Sequence, residues 1–419
     1  MKQKKQSPVV GKPAGKSEKP LRNAGTVKEP VAGPLAENWV NQLIIRAIRE
    51  RASDIHIEPT RKGLVVRFRI DGVLHTVVTP QKALETAIVT RIKTMSRMNI
   101  AEKRVPQDGR YGAIIDSREV DFRVSIFPTT YGESVVMRVL DRARLMPLNR
   151  LGFSTTALKR VHDMIAEPNG VVLVTGPNSS GKSSTLYAIL NRLSREKLNI
   201  VTIEDPVEFD LDGVRQSQVD PRAGYTYPLG LATVLRQDPD VIGLGGLRDA
   251  EIAEAAIGAA LTGRRVFSTM HADDASETVT RLVEMGVEPF LVAKGLKGVI
   301  AQRLVRVNCP ACKTSYPADV KTSHMLGNLG VYLKPGHKLF KGRGCAKCNN
   351  TGYQGQIGIF EVLPITNEIR DLVATRPPWS AVNKLARQAG VEKLLDDGIE
   401  KVKSGVTTVE EVLRATRKS

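Results

Sequence analysis

The stretch Val171–Tyr187, VVLVTGPNSSGKSSTLY, restricts what this chain can become more than any other part of it. Val171 to Val174 read as a short buried strand. Gly176, Gly181, Lys182 and Ser183 then fall at the G-x-x-x-x-G-K-S spacing of a phosphate-binding loop that opens a helix. The chemistry needs these residue types at these intervals. The two glycines let the backbone turn so that successive N–H groups face inward at phosphate oxygens, and the helix opening at Lys182 adds its positive end. Lys182 is placed to reach the β- and γ-phosphates, and the Ser183 hydroxyl to ligate Mg²⁺. The candidate phosphate set is Gly176, Pro177, Asn178, Ser179, Ser180, Gly181, Lys182, Ser183 and Ser184. The rival reading is a Gly-rich turn that happens to precede a helix.

At 419 residues the chain exceeds a single core and implies two or three domains. No run approaches the roughly 18 apolar residues of a membrane span, and the basic N-terminus lacks the apolar core of a signal peptide. A cytoplasmic protein is expected. With 62 Lys and Arg against 44 Asp and Glu, the charge of +18 favours nucleotide, nucleic acid or an anionic membrane face. The basic residues are spread along the whole chain, so a solvated surface explains them as well as a nucleic-acid groove does.

Residues 1–36 read as a disordered basic tail. From 37 to 148 the pattern is a small α+β domain. A helix runs from Glu37 to about Arg51, strands follow with Asp71-Gly72 as a turn, a second helix runs from about Lys82 to Met98, and three strands end near Leu140. His56 is expected to be a structural hydrogen-bonding residue.

From 149 to 419 strands and helices alternate, the pattern of a parallel sheet with helices on both faces. Asn199–Ile203 is a strand whose carboxyl end carries Glu204, Asp205 and, further on, Glu208. Ligands sit beyond the carboxyl ends of such strands, so Glu204 and Asp205 are expected to orient a water or hold Mg²⁺. Val241–Gly245 is expected beside the phosphate-loop strand, with no carboxylate until Asp249. Another strand ends at His271, either a γ-phosphate or subunit sensor or a buried structural histidine. Cys309-x-x-Cys312 and Cys345-x-x-Cys348 are the only cysteines, and two such knuckles favour a structural Zn²⁺ in a subdomain at about 307–350. After Gly358, short helices lead to an exposed basic tail from Arg414 to Ser419.

From about Trp39 to Arg414 these motifs together resemble the hexameric ATPases of type II secretion and type IV pilus assembly. The resemblance is carried by ASDIHIEP, VRFRIDGVL, RVPQDGR and VDFRVSIFPTTYGESVVMRVL, then LVTGPNSSGKSSTLY, VTIEDPVEF, LRQDPDVI, STMHADDASETVTRLVEMGVEPF and AQRLVR, and finally GYQGQIGIFEVL and GVTTVEEVLRAT. It implies a RecA-like P-loop NTPase domain preceded by a PAS-like α+β domain, with ATP, Mg²⁺ and Zn²⁺ as ligands. Carried over by position, Lys182 and Ser183 are the Walker A residues, Glu204 the catalytic carboxylate and His271 the histidine-box residue. Arg123 and Arg138 are arginines that approach the γ-phosphate as two domains close. The tetracysteine insert resembles the assembly and export branch. A homo-hexamer at the cytoplasmic face of the inner membrane is implied, driving a membrane platform protein and served by a cytoplasmic adaptor. No specific nucleic acid is implied.

Three departures accompany the resemblance. Gly245-Gly246 stands where the family's Walker B ends in Gly-Glu, Ser179 replaces the loop's middle glycine, and a short basic tail stands in place of a docking domain. The first two imply impaired hydrolysis and keep a second reading open, a degenerate nucleotide-binding paralogue with a structural or regulatory role. A nucleic-acid motor is a third, disfavoured by 5% aromatic content and no DNA-binding module.

Overall fold

The computed structural model describes residues 32–328 and 332–417; residues 1–31, most of the basic tail read from sequence, lie outside them, as do Lys418 and Ser419. The chain divides into two compact units, one of residues 1–50, 54–67 and 76–139, the other of 51–53, 68–75 and 140–419. Among the described residues no helix is long and apolar enough to cross a membrane.

A six-stranded sheet, most of whose residues belong to the first unit, has the order β3-β2-β1-β6-β5-β4, from β1 (Asp54–Thr60), β2 (Gly63–Ile70), β3 (Val73–Val78), β4 (Gln107–Ile115), β5 (Arg118–Thr129) and β6 (Gly132–Asp141). Helices α1 (Ala32–Arg49) and α2 (Glu85–Met95) pack on each other. Val40, Leu43, Ile44, Ala47 and Ile48 form the buried stripe of α1 at helical spacing. This helix starts earlier than the sequence pattern implied, because Pro34 falls in its first turn, where proline is tolerated. The β2–β3 turn is as expected: Asp71 and Gly72 have φ of 50° and 84°, the left-handed pair that a two-residue hairpin needs. His56 lies with Nδ1 3.6 Å from Glu58 Oε1.

The second unit runs α3 (Thr155–Ala166), β7 (Gly170–Thr175), α4 (Lys182–Leu193), β8 (Ile200–Glu204), β9 (Val214–Gln218), α5 (Tyr227–Val234), β10 (Val241–Leu244), α6 (Ala250–Leu261), β11 (Arg265–Met270), α7 (Ala275–Glu284), α8 (Pro289–Gly295) and β12 (Leu296–Asn308). Then come β13 (Lys313–Pro317), α9 (Val320–Asn328), β14 (Lys338–Gly342), β15 (Tyr353–Pro364), α10 (Asn367–Val373), α11 (Trp379–Gln388), α12 (Leu394–Lys403) and α13 (Val409–Thr416). Seven strands form one sheet in the order β15-β12-β7-β11-β10-β8-β9. The alternation along β7 explains its continuous apolar run: Val171 and Leu173 join the core with α6, whereas Val172 and Val174 join the core with α4.

Three details differ from the sequence reading. Strand β10 is separated from β7 by β11, so the expected adjacency does not hold. The segment around Gly358 is not yet helical, because β15 first pairs antiparallel with β12 along most of its length and makes that edge of the sheet mixed. Arg414 is exposed as expected, but it lies in α13 and not in a tail, its guanidinium 2.9 Å from buried Glu411.

Candidate functional site

The loop after β7 is built around two glycines that no other residue could replace without displacement. Gly176 and Gly181 have φ of 151° and 89°. A Cβ on Gly176 would lie 2.5 Å from Gln302 O and from Ser180 Oγ, and one on Gly181 would lie 2.6 Å from Gln302 Nε2. The loop then opens α4, whose first turn has no side-chain cap and no acidic residue. Helices α6 and α7, by contrast, are capped by Asp249 and Asp274. Buried Ser180 keeps an Oγ with no hydrogen-bond partner among the described residues. An uncapped helix end, a glycine cradle and an orphan hydroxyl fit a phosphate group. Lys182 Nζ donates to Gly176 O and Pro177 O, both at 2.8 Å. Burial and then the nearby Arg303 push its pKa down to about 8, with Glu208 opposing. Asn178 and Ser179 are exposed, Ser179 with a left-handed φ of 60°, and Ser184 is half-buried in the first turn of α4.

The two carboxylates beyond β8 have different surroundings. Glu204 is only 4% exposed. Its Oε1 accepts from Thr202 Oγ1 at 2.5 Å and Gln216 Nε2 at 3.0 Å, and its Oε2 accepts from the Tyr187 hydroxyl. Burial and the charge of Glu204 raise the pKa of that phenol. The Tyr187 oxygen in turn accepts the backbone N–H of Glu208 at 3.0 Å. The carboxylate that meets the loop is Glu208, whose Oε1 accepts from Ser183 Oγ at 3.2 Å. Glu204 therefore stands one layer behind, holding the tyrosine that holds Glu208. Asp205 is engaged by exposed Arg248 at 2.8 Å, and Asp249 is occupied as the cap of α6. The sequence reading named both acids and gave the catalytic role to Glu204; in the structure Glu204 is the last residue of its strand and Glu208, on the loop beyond, is the one that reaches Ser183.

His271 is exposed one step past β11. Partial burial, followed by the positive charges of Lys182, Arg281 and Arg248, lowers its pKa and so favours the neutral imidazole. Gly246 follows β10 and is buried, and a Cβ there would make ordinary contacts, 3.4 Å from Thr269 Oγ1 and 3.7 Å from Thr269 O. Arg123 and Arg138 belong to the first unit, on β5 and β6. Arg138 donates to Asp54 Oδ1 at 2.9 Å, its partner in the β1–β6 register, and Arg123 stands opposite Arg110 across β4–β5.

Cys309, Cys312, Cys345 and Cys348 converge with all four sulfurs within 4.8 Å of one another. Sulfur pairs lie 3.9 Å (Cys309–Cys345), 3.9 Å (Cys312–Cys348) and 3.7 Å (Cys345–Cys348) apart, far beyond a disulfide bond. Four thiolates on one tetrahedral zinc at about 2.3 Å would be separated by about 3.8 Å, so the donor set fits that ion. N–H groups of Cys345 and Gly352 reach Cys348 Sγ at 3.2 and 3.3 Å, supporting a thiolate there.

The chain is 47% identical over 379 residues to type II secretion system protein E of Pseudomonas aeruginosa, covering 90% of this chain and 75% of that one. It is 46% identical over 381 residues to type II secretion system ATPase E of Vibrio cholerae, covering 91% and 75%. Type IV pilus assembly ATPase PilB of Thermus thermophilus is 43% identical over 396 residues, covering 93% and 44%. Among solved structures the fold is similar to the ATPase DotB of Legionella pneumophila, with TM-score 0.66, 21% identity and coverage of 92% and 96%. It is also similar to the pilus retraction motor PilT with bound ADP, with TM-score 0.62, 23% identity and coverage of 90% and 96%. Because the sequence model of the type II/IV secretion system proteins matches residues 31–414, nearly the whole chain, the protein belongs to that family.

Proposed function

We propose that this chain is an ATP-hydrolysing motor subunit of a type II secretion or type IV pilus assembly machine. The observation that carries the reading is the Ser183–Glu208 contact at the uncapped start of α4. Backbone N–H groups of the loop and the Lys182 ammonium hold the phosphates, Lys182 exchanging its own loop carbonyls for phosphate oxygens. Mg²⁺, when bound, would neutralise phosphate charge, and Ser183 would be a ligand to it. Glu208 orients the attacking water and takes its proton as the water oxygen bonds to the γ-phosphorus and the bond to the ADP oxygen breaks. Glu204, through Tyr187, fixes the backbone from which Glu208 projects. His271, neutral, reads the γ-phosphate, and Arg123 and Arg138 complete the charge compensation from the first unit when a ring of six chains closes.

The four cysteines hold Zn²⁺ in this reading, and the protein works at the cytoplasmic face of the inner membrane on a platform protein and an adaptor, with no specific nucleic acid. Gly246 and strained Ser179 favour the second reading, a nucleotide-binding ring component with little turnover. Steady-state ATP hydrolysis by the purified protein, with and without DNA and acidic lipid, separates the readings. Turnover that is insensitive to DNA and abolished in Lys182→Ala supports the motor. Tight ATP binding with no turnover under any condition supports the paralogue, and light scattering with a non-hydrolysable ATP analogue tests the hexamer.

A further inference from the structure

Arg303 on β12 is 8% exposed, a burial that an always-charged guanidinium tolerates only when its donors are taken. Those donors lead in two directions. Nη1 donates to Gln302 O at 3.1 Å, the same carbonyl that lies 2.5 Å from where a Gly176 Cβ would sit. Nη2 donates to Asp273 O at 2.8 Å and reaches Asp273 Oδ1 at 3.3 Å, two residues beyond His271. The neighbouring Gln302 side chain adds to the first of these links, since its Oε1 accepts from buried Thr185 Oγ1 at 2.6 Å and its Nε2 lies against Gly181. The loop after His271 is held from its other side as well, because Asp273 N donates to Glu277 Oε2 at 2.6 Å and Trp379 Nε1 donates to the Asp274 carboxylate at 3.0 Å.

From this arrangement we infer that Arg303 is a positioning residue for hydrolysis, a clamp that holds the His271 loop to β12, the strand whose Gln302 packs against the phosphate loop. The inference rests on the reading of His271 as a γ-phosphate contact. A clamp of this kind acts on where His271 stands in the transition state and leaves ground-state binding of nucleotide to the loop itself. Charge alone does not suffice, because the planar guanidinium spans two acceptors from fixed directions and a lysine ammonium, a point charge on a flexible stem, does not.

The test is steady-state kinetics of full-length protein on ATP in two backgrounds. Arg303→Met and Arg303→Lys are each expected to lower kcat by about 10- to 100-fold while KM for ATP stays within about two-fold, the signature of lost transition-state alignment. Asp273→Ala, which removes only the carboxylate end and leaves the buried arginine in place, is expected to lower kcat in the same direction by less; it serves should the Arg303 variants fail to fold. In a His271→Ala background all three substitutions are expected to cost less than about two-fold further, because their effect runs through His271. Equal losses in both backgrounds overturn the clamp, as does full activity in Arg303→Lys or a rise in KM at unchanged kcat. Should His271→Ala by itself leave kcat unchanged, the reading of the histidine falls, and that result is distinct from additivity of the two sites.

Discussion

Glu208 accepts the Ser183 hydroxyl at 3.2 Å, whereas Glu204, four residues earlier, spends both carboxylate oxygens inside the protein. Two acids from the same short segment therefore have different surroundings, and separable roles are expected of them. Glu208→Gln keeps the shape and removes the base, and it is expected to lower kcat by about 10²- to 10⁴-fold with ATP binding retained. Glu204→Gln reaches the site only through Tyr187 and is expected to cost less in kcat and more in thermal stability. Parallel measurement of kcat and melting temperature checks the ordering; a Glu204→Gln variant slower than Glu208→Gln returns the catalytic role to Glu204.

How much of this was legible beforehand depended on whether a residue's role is local. The phosphate loop was, because glycine positions with left-handed φ, a lysine and a hydroxyl at fixed spacing are constrained within a few residues, and Gly176 and Gly181 stand as that spacing required. The cysteine knuckles were too. The place of β10 was not, because the order of parallel strands is set by crossovers that leave no mark in the strand's own residues. Strand β15 was not read, and the helices expected after Gly358 begin only at Asn367; within the strand Gly355 takes a left-handed φ and Gly358 lies close against Phe360 and Leu151 O. The burial of Glu204 against Tyr187 and Gln216 was not legible either, because those partners come from α4 and β9 and no sequence window contains them.

Lys182 gives a pH dependence with a definite sign. Its pKa is lowered to about 8 by burial and Arg303, so between about pH 8 and its ordinary value the free protein loses an ammonium that an unfolded chain keeps. Phosphate favours the charged form. ATP binding near pH 8 is therefore expected to take up a proton, and affinity to fall as pH rises above about 8. Calorimetry in buffers of different ionisation enthalpy reads the proton directly, and the uptake should vanish in Lys182→Met. Affinity that is flat from pH 7 to 10 would show that the ammonium does not carry phosphate binding.

The cysteine cluster is joined to the helical end of the chain through Asn308, whose Nδ2 lies within 3.2 Å of the carbonyls of Phe340, Gly405 and Thr407. Loss of metal should therefore be felt beyond β13 and β14. Elemental analysis is expected to return about one zinc per chain, and a strong chelator or Cys348→Ser to lower the melting temperature measurably. Metal-free protein that melts where the native protein does would exclude a structural role for the ion.

The last expectation concerns Gly246 and Ser179, which act by different physics. Gly246 lacks a carboxylate, yet its backbone does not exclude a side chain: its φ is not left-handed, and a Cβ would meet Thr269 at ordinary contact distance. Ser179 keeps a side chain where φ is 60°, a conformation that costs a non-glycine residue about 1–2 kcal/mol. Gly246→Glu should therefore raise kcat, by supplying the acid that supports Mg²⁺, with little change in melting temperature. Ser179→Gly should instead tighten nucleotide binding or raise stability by relieving the loop, with kcat little changed. Wild type is expected to turn over slowly, since Glu208 and the phosphate ligands of Mg²⁺ remain. A wild type as fast as Gly246→Glu would mean that Mg²⁺ needs no carboxylate from the end of β10. Asp249 would not be the substitute, because its Oδ1 already accepts Ile252 N at 2.9 Å as the cap of α6. A zero rate that Gly246→Glu does not lift, but that Ser179→Gly does, would place the defect in the geometry of the phosphate loop.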